Sequence, residues 1–177
     1  MLQEVEFFIL DSIQSIHFGL LDKLMIAITT LGNKGIVWII IGVVMLFSKK
    51  YRRTGITVLL GLIFGLVVGN WGIKNIVARA RPCALNPDIQ LLIPYPSEYS
   101  FPSGHTLSSF IAATCVFLRN KRLGIAAYLL ASLIAFSRLY LYVHFPTDII
   151  GGMILGVALA FLVKWIMTKP RWKWLGD

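Results

Sequence analysis

Four stretches of this chain, Thr54–Ile76, Thr106–Leu118, Leu123–Leu141 and Thr147–Met167, carry little charge and approach the ~20 apolar residues that a helix needs to cross a bilayer, the second of them if it begins near Ser103. Backbone that leaves water must satisfy every N–H and C=O internally, so such stretches fold as helices. Composition agrees: 57% hydrophobic and 14% charged residues are too apolar for a soluble domain. Two shorter apolar stretches, Leu20–Leu31 and Ile36–Phe47, flank Gly32-Asn33-Lys34-Gly35, a turn signal that carries a charge. One span through both would hold Lys34 near the bilayer centre at about 2.5–3.5 kcal/mol, so the sequence predicts a tight hairpin of two short spans. Leu2–Ile16, with Glu4, Glu6, Asp11 and Gln14 among apolar residues, suits an amphipathic helix lying at the interface. The expected fold is an all-α polytopic membrane bundle of six transmembrane helices plus an N-terminal interfacial helix, with residues 1–177 forming one domain.

Lys and Arg gather on the cytoplasmic side of membrane proteins. Lys49-Lys50-Tyr51-Arg52-Arg53, Arg119-Asn120-Lys121-Arg122, and Lys164, Lys169, Arg171 and Lys173 all fall on one side of the six-span arrangement. With Lys23 they place 12 of the 17 basic residues inside and leave Lys34, Lys74, Arg79, Arg81 and Arg138 outside. Both termini are therefore expected in the cytoplasm of a plasma-membrane protein, and the first segment has no signal-peptide features. The net charge of +9 reads as topology, and no nucleic-acid partner is expected. Trp165, Trp172 and Trp174 at one end, and Tyr140 and Tyr142 at the other, are expected interfacial anchors. Cys83 and Cys115 are expected free thiols. Gly61, Gly65 and Gly69, and then Gly152, Gly156 and Ala160, recur every four residues and mark helix-packing faces.

A second polar set remains at the outer ends of the last four spans: Lys74, Arg81-Pro82, Pro102-Ser103-Gly104-His105, Ser137-Arg138, His144 and Asp148. Ionisable groups near membrane depth are functional candidates. Three cations and the helix start at Ser103-Gly104-His105, with its unpaired N–H groups, fit a tetrahedral dianion. Arg81 and Arg138 suit bidentate contact with phosphoryl oxygens, and Lys74 supplies a point charge. His144 precedes Pro146, a good first helical residue, and Asp148 falls in the first turn, so the carboxylate can turn back to one imidazole nitrogen and free the other as a nucleophile. His105 then remains as the general acid.

Lysine, six residues, Arg-Pro (Lys74 to Arg81-Pro82), Pro-Ser-Gly-His (Pro102 to His105) and Ser-Arg, five residues, His, three residues, Asp (Ser137-Arg138, His144, Asp148) together resemble the three-part signature of the type 2 phosphatidic acid phosphatase superfamily. The signature region is 74–148, without departure at any motif position. The resemblance implies that His144 attacks phosphorus to form a phosphohistidine, His105 protonates the leaving group, Asp148 orients the nucleophile, and Lys74, Arg81, Ser103, Gly104 and Arg138 stabilise the phosphoryl oxygens. It implies no cofactor and no metal. Small bacterial members of that family act on undecaprenyl diphosphate or phosphatidylglycerophosphate, so the expected substrate is a lipid phosphate drawn from the bilayer, undecaprenyl diphosphate first.

A lipid-phosphate transporter or binder needs the cations but not the His144–Asp148 pair, and the pair argues against it. Outside the signature, Arg79 reads as an interfacial snorkelling residue, His17 as a surface residue of the first helix, and Ser137 as a support for Arg138. Tyr95, Tyr99 and Phe101, in the loop 83–101, suit a lid, a lipid portal or plain interfacial packing.

Overall fold

The computed structural model describes residues 1–169. Among the described residues the chain is helical throughout: α1 (Leu2–Gln14), α2 (Gly19–Gly32), α3 (Ile36–Leu46), α4 (Arg52–Gly65), a π-helical stretch (Leu66–Ile73) leading into α5 (Lys74–Val77), then α6 (Pro82–Leu85), α7 (Gly104–Phe117), α8 (Lys121–Tyr140) and α9 (Pro146–Met167). Four helical runs are long and apolar enough to span a bilayer, Gly19–Leu46, Arg52–Leu85, Lys121–Tyr140 and Pro146–Met167, and Gly104–Phe117 is a shorter apolar helix. The protein is a multi-pass membrane protein.

The short helix sits at the centre. At ~1.5 Å per residue, the 14 residues of α7 rise about 21 Å, less than a bilayer core of ~30 Å. Buried from Thr106 to Val116, α7 is sheathed by its neighbours instead of by lipid. Both glycine faces anticipated from the sequence close on it. A Cβ at Gly61 or Gly65 would meet Ile111, and one at Gly69 would meet Leu107. From the other side, Gly152 and Gly156 lie against the backbone oxygens of Ser103 and Leu107. Small residues thus let α4 and α9 approach α7 closely.

The hairpin of two short spans is not formed. α2 starts beside the outer end of α8, where the Tyr140 hydroxyl donates to Asp22 Oδ1 at 2.6 Å, and Gly32 reaches Ile134 and His105. α3 then continues in the same direction along α7, with Trp38 Nε1 donating to Ser109 Oγ at 2.8 Å, and ends where Arg52 Nε donates to Leu46 O at 3.1 Å. Residues 19–46 form one kinked helical run along the bundle. The turn signal is real but only kinks the path: Asn33–Gly35 is a 3₁₀ turn in which Lys34 and Gly35 have φ of 53° and 70°. Lys34 is exposed at this kink, next to Gly35, where a Cβ would lie 3.5 Å from that of Ser108.

α1 and the last described turn of α9 lie at opposite ends of the bundle. α1 docks at the His144 end: Gln14 Nε2 donates to Tyr140 O at 2.9 Å, Tyr142 Oη to Asp11 Oδ1 at 2.7 Å, and Phe7 packs edge-on to Phe145 at 5.4 Å. The last residues of α9 lie at the opposite end, where Arg53 Nη2 donates to Met167 O at 2.5 Å. α1 thus lies at the site end of the bundle and the last described turn of α9 at the other, and Lys23 lies at the site end beside Asp22, whose Oδ1 accepts from the Tyr140 hydroxyl. Tyr140 and Tyr142 are not anchors, being 0% and 1% exposed beneath α1 and α2. His17 is no free surface residue either, since its ring stacks on Tyr140 at 3.9 Å. Trp165 is exposed, as an anchor would be; Trp172 and Trp174 lie outside the described residues. Cys83 and Cys115 are free and buried.

Candidate active site

All eight residues singled out in the sequence lie at one end of the bundle. Lys74, Arg81, Ser103, Arg138, His144 and Asp148 are buried, while Gly104 and His105 are half-buried at the start of α7. Lys74, Arg81, Arg138 and His144 all stand within electrostatic reach of His105. Four helix ends bring them there. Lys74 follows the π-helical stretch on the second passage, Arg138 lies in the last turn of α8, and Ser103 and Asp148 belong to the first turns of α7 and α9. The two N-termini are fastened together, since Ser103 N donates to Asp148 O at 3.1 Å. Ser103 also caps α7, its Oγ accepting from Thr106 N at 3.5 Å and from Thr106 Oγ1 at 3.0 Å.

The protonation pattern of His144 follows from its partners. Arg81 Nη1 lies 3.1 Å from His144 Nε2, and because a guanidinium only donates, Nε2 is the unprotonated acceptor. The proton therefore sits on Nδ1, which faces Ser100 Oγ at 3.4 Å and Asp148 Oδ2 at 3.5 Å. Ser100, 0% exposed, stands between the two, donating its own proton to Asp148 Oδ2 at 2.5 Å. Asp148 thus reaches the imidazole through a serine as well as directly, where the sequence suggested a direct contact alone. Burial first, then the Arg81, Arg138 and Lys74 charges, holds His144 well below the ordinary imidazole range. It is neutral at physiological pH, the state a nucleophile requires.

Asp148 is itself fixed from two sides. Oδ2 also accepts the Phe145 N–H at 2.8 Å, and Oδ1 accepts from Arg79 Nη1 at 2.7 Å. Arg79 does not snorkel. Its Nη1 further donates to Thr147 Oγ1 at 2.6 Å, its Nη2 to Glu6 Oε2 at 2.5 Å, and its guanidinium lies 4.1 Å from the centroid of the Phe145 ring. Glu6, 2% exposed, completes the chain by accepting the Thr147 N–H at 3.2 Å. A hydrogen-bonded line therefore runs from α1 to the imidazole: Glu6, Arg79, Asp148, Ser100, His144. No spacing signal marks Arg79, Glu6 or Ser100 in the chain. The one available hint was Arg79 itself, a cation that topology left unexplained.

Opposite His144, the broken first passage supplies two contacts that were also unforeseen. Asn33 Oδ1 lies 3.0 Å from His105 Nε2, and Thr29 Oγ1 accepts from Arg138 Nη1 at 2.6 Å. Arg138 Nε and Asn70 Oδ1 are buried without a hydrogen-bond partner among the described residues. Arg138 thus keeps a donor suited to an anionic oxygen. Asn70 sits against Gly104, where a Cβ would come within 3.0 Å of Oδ1. Arg81 is less free than expected for a bidentate clamp. Nε donates to Glu98 O at 2.6 Å, Nη1 to Val143 O at 2.7 Å, and Nη2 to Tyr99 O at 3.2 Å, so it ties the 86–99 loop to the His144 segment. Lys74 Nζ donates to Glu98 Oε2 at 2.8 Å. That bond and the Lys74 charge hold the Glu98 carboxyl below the usual carboxylate range, so it is ionised at neutral pH and occupies the place of an anionic oxygen on Lys74. A cavity of about 320 Å³ opens here, lined by Asn70, Trp71, Lys74, Ser97, Glu98 and Tyr99. Of the loop aromatics, Tyr99 lines it, Tyr95 is exposed, and Phe101 packs on Gly151. Among the described residues no group of three His, Cys, Asp or Glu side chains is placed to hold a metal ion.

A neutral imidazole whose unprotonated Nε2 accepts from Arg81, backed by a carboxylate and ringed by three cations, is equipped for phosphoryl transfer once the phosphate takes the guanidinium's place on that nitrogen. Residues 54–172 match the PAP2 superfamily. The chain belongs to that superfamily. Among PAP2 relatives, it is 34% identical over 143 residues to an undecaprenyl-diphosphatase of Sulfolobus acidocaldarius, covering 80% of this chain and 68% of that one. It is 36% identical over 166 residues to phosphatidylglycerophosphatase B of Bacillus subtilis, covering 85% and 77%. The fold matches the crystal structure of a transmembrane PAP2-type phosphatidylglycerolphosphate phosphatase from Bacillus subtilis with a TM-score of 0.78 at 31% identity, over 96% of this chain and 88% of that one. The protein is thus a PAP2 phosphatase, a membrane hydrolase.

Proposed function

We propose that this phosphatase removes the terminal phosphate of a lipid phosphate or diphosphate, with undecaprenyl diphosphate as first choice. The observation that carries the mechanism is the tautomer of His144, with Nε2 accepting from Arg81 and Nδ1–H turned to Ser100 and Asp148. The Nε2 lone pair attacks phosphorus and the bond from phosphorus to the leaving oxygen breaks. His105 gives that oxygen a proton, leaving a phosphohistidine. Water then attacks the phosphorus, His105 takes a proton from it, and His144 departs as the neutral imidazole with release of phosphate. Lys74, Arg81, Arg138 and the N–H groups at Ser103 and Gly104 meet the charge that builds on the equatorial oxygens. Arg79 and Ser100 hold Asp148 and the imidazole in line.

A terminal phosphate on an amphipathic carrier suits a buried cation cluster at the end of a lipid-embedded bundle. The basic runs at the far end favour that end as cytoplasmic, which puts the site on the extracytoplasmic side. The relative named undecaprenyl-diphosphatase supports the first choice, and the phosphatidylglycerophosphatase likeness in sequence and structure supports phosphatidylglycerophosphate as the second. Initial rates of phosphate release from purified protein on undecaprenyl diphosphate, phosphatidylglycerophosphate, phosphatidic acid and lipid A phosphate decide between them. Undecaprenyl diphosphate is expected to lead, and a tenfold lead for phosphatidylglycerophosphate would reverse the choice. His144→Ala is expected to abolish release, and a variant as active as the parent would remove His144 as nucleophile.

A further inference from the structure

The kink between α2 and α3 lies before residue 54, where the match to the family begins, yet it touches His105. Gly32 lies against the imidazole, where a Cβ would come within 2.7 Å of Cδ2 and 3.5 Å of Cγ. Asn33 leaves the helical path with φ of −56° and ψ of 123°, and its Oδ1 stands 3.0 Å from His105 Nε2. Lys34 and Gly35 follow with φ of 53° and 70°. Two successive left-handed residues, one of them a lysine, are a strained way to bend a helix, and such strain gathers where a side chain must be aimed. One turn earlier, Thr29 Oγ1 accepts from Arg138 Nη1 at 2.6 Å, so α2 bears on the site there as well.

An amide oxygen only accepts, so the nitrogen facing Asn33 Oδ1 carries a proton. The Cδ2–Nε2 edge of the ring lies against the kink, and Nδ1 belongs to the edge turned away from it. Arg138 of α8, His144, Arg81 and Lys74 stand around this ring, and the kink adds Lys34, which is exposed. An imidazolium among such cations needs an acceptor, because a hydrogen bond to the charged form of a group favours that form.

Resting on the reading of His105 as the acid, we infer that Asn33 is a positioning residue for it, holding Nε2–H so that Nδ1 carries the proton given to the leaving oxygen. His105 enters as the imidazolium. As Nε2 of His144 bonds to phosphorus, the bond from phosphorus to the leaving oxygen breaks, its electron pair stays on that oxygen, and the Nδ1 proton passes to it. His105 is left neutral with Nε2–H still on Asn33.

A poor leaving group needs that proton and a good one does not, so the role is read on two substrates. Phosphatidic acid must release an alcohol, whereas p-nitrophenyl phosphate releases a stable phenolate. Asn33→Ala is expected to lower kcat/KM on phosphatidic acid by about tenfold or more, the factor for a hydrogen bond to a charged group, and on p-nitrophenyl phosphate by much less. On phosphatidic acid, kcat/KM falls at alkaline pH as His105 loses its proton, and Asn33→Ala moves that limb to lower pH. Asn33→Asp, of the same size and still an acceptor, is expected to recover much of the loss and to move the limb to higher pH by about one unit or more. Equal losses on the two substrates, or a limb that stays in place in both variants, would overturn the role of Asn33. His105→Ala separates this role from the reading beneath it. If His105→Ala loses activity on phosphatidic acid while Asn33→Ala matches the parent, Asn33 alone is misassigned. If His105→Ala matches the parent on both substrates, the acid is misassigned and the role of Asn33 falls with it.

Discussion

Arg79 shows what a single side chain outside a signature can do. It joins two buried carboxylates, Glu6 and Asp148, and through the second it bears on the imidazole. Arg79→Ala is expected to lower kcat by roughly 10–100-fold, the usual effect of losing a partner one step removed from the reacting atoms, with little change in KM. Glu6→Ala should lower kcat in the parent but add little in the Arg79→Ala background, and a double-mutant cycle reads that coupling. Additive losses would mean that Glu6 acts on stability alone. Glu98 works in the opposite sense, because its carboxylate must leave Lys74 before a phosphate can arrive. Glu98→Gln is expected to lower KM about two- to fivefold, the range an exposed ion pair is worth, and steady-state kinetics checks it. The eight signature residues were legible because their types and spacings carry the chemistry. Arg79, Glu6, Ser100, Asn33 and Thr29 were not, because nothing local marks them. Their roles come from contacts as much as 141 residues apart.

At the level of elements, hydropathy located the last four passages and glycine spacing located the faces on which two of them close. Direction was harder. A turn signal does not say whether the chain reverses, and at Asn33–Gly35 the deciding facts are tertiary: Trp38 on Ser109, and Gly55 against Gly42 O. The close approach of α9 to α7 makes a direct test. A Cβ at Gly156 would lie 2.9 Å from Leu107 O, and backbone cannot swing aside as a flexible side chain can. Gly156→Ala is therefore expected to push α9 from α7 and destabilise the protein by about 1–3 kcal/mol. A lower Tm in detergent is the measurement. kcat should fall with it, since Ser103 and Asp148 are joined across this same contact.

For the molecule as a whole, α1 and the last described turn of α9 lie at opposite ends of the bundle, which predicts that the two chain ends flank the membrane on opposite sides. A reporter active only in the cytoplasm is expected to be active when fused after residue 177 and silent when fused before Met1. Activity from both fusions would set both ends on one side. The site also joins distant parts of the chain, with Glu6, Thr29 and Asn33 from its start, Lys74 to His105 from its middle, and Arg138, His144 and Asp148 from α8 onward. Bonds such as Thr147 to Glu6 and Arg138 to Thr29 span separations of 141 and 109 residues, so in folding terms the site has very high contact order. During synthesis Glu6 can meet Arg79 early, but it lacks Thr147, and Arg79 lacks Asp148, until α9 has been made. A nascent chain halted before α9 therefore holds neither Asp148 nor its bonds to Arg79, Ser100 and the Phe145 N–H.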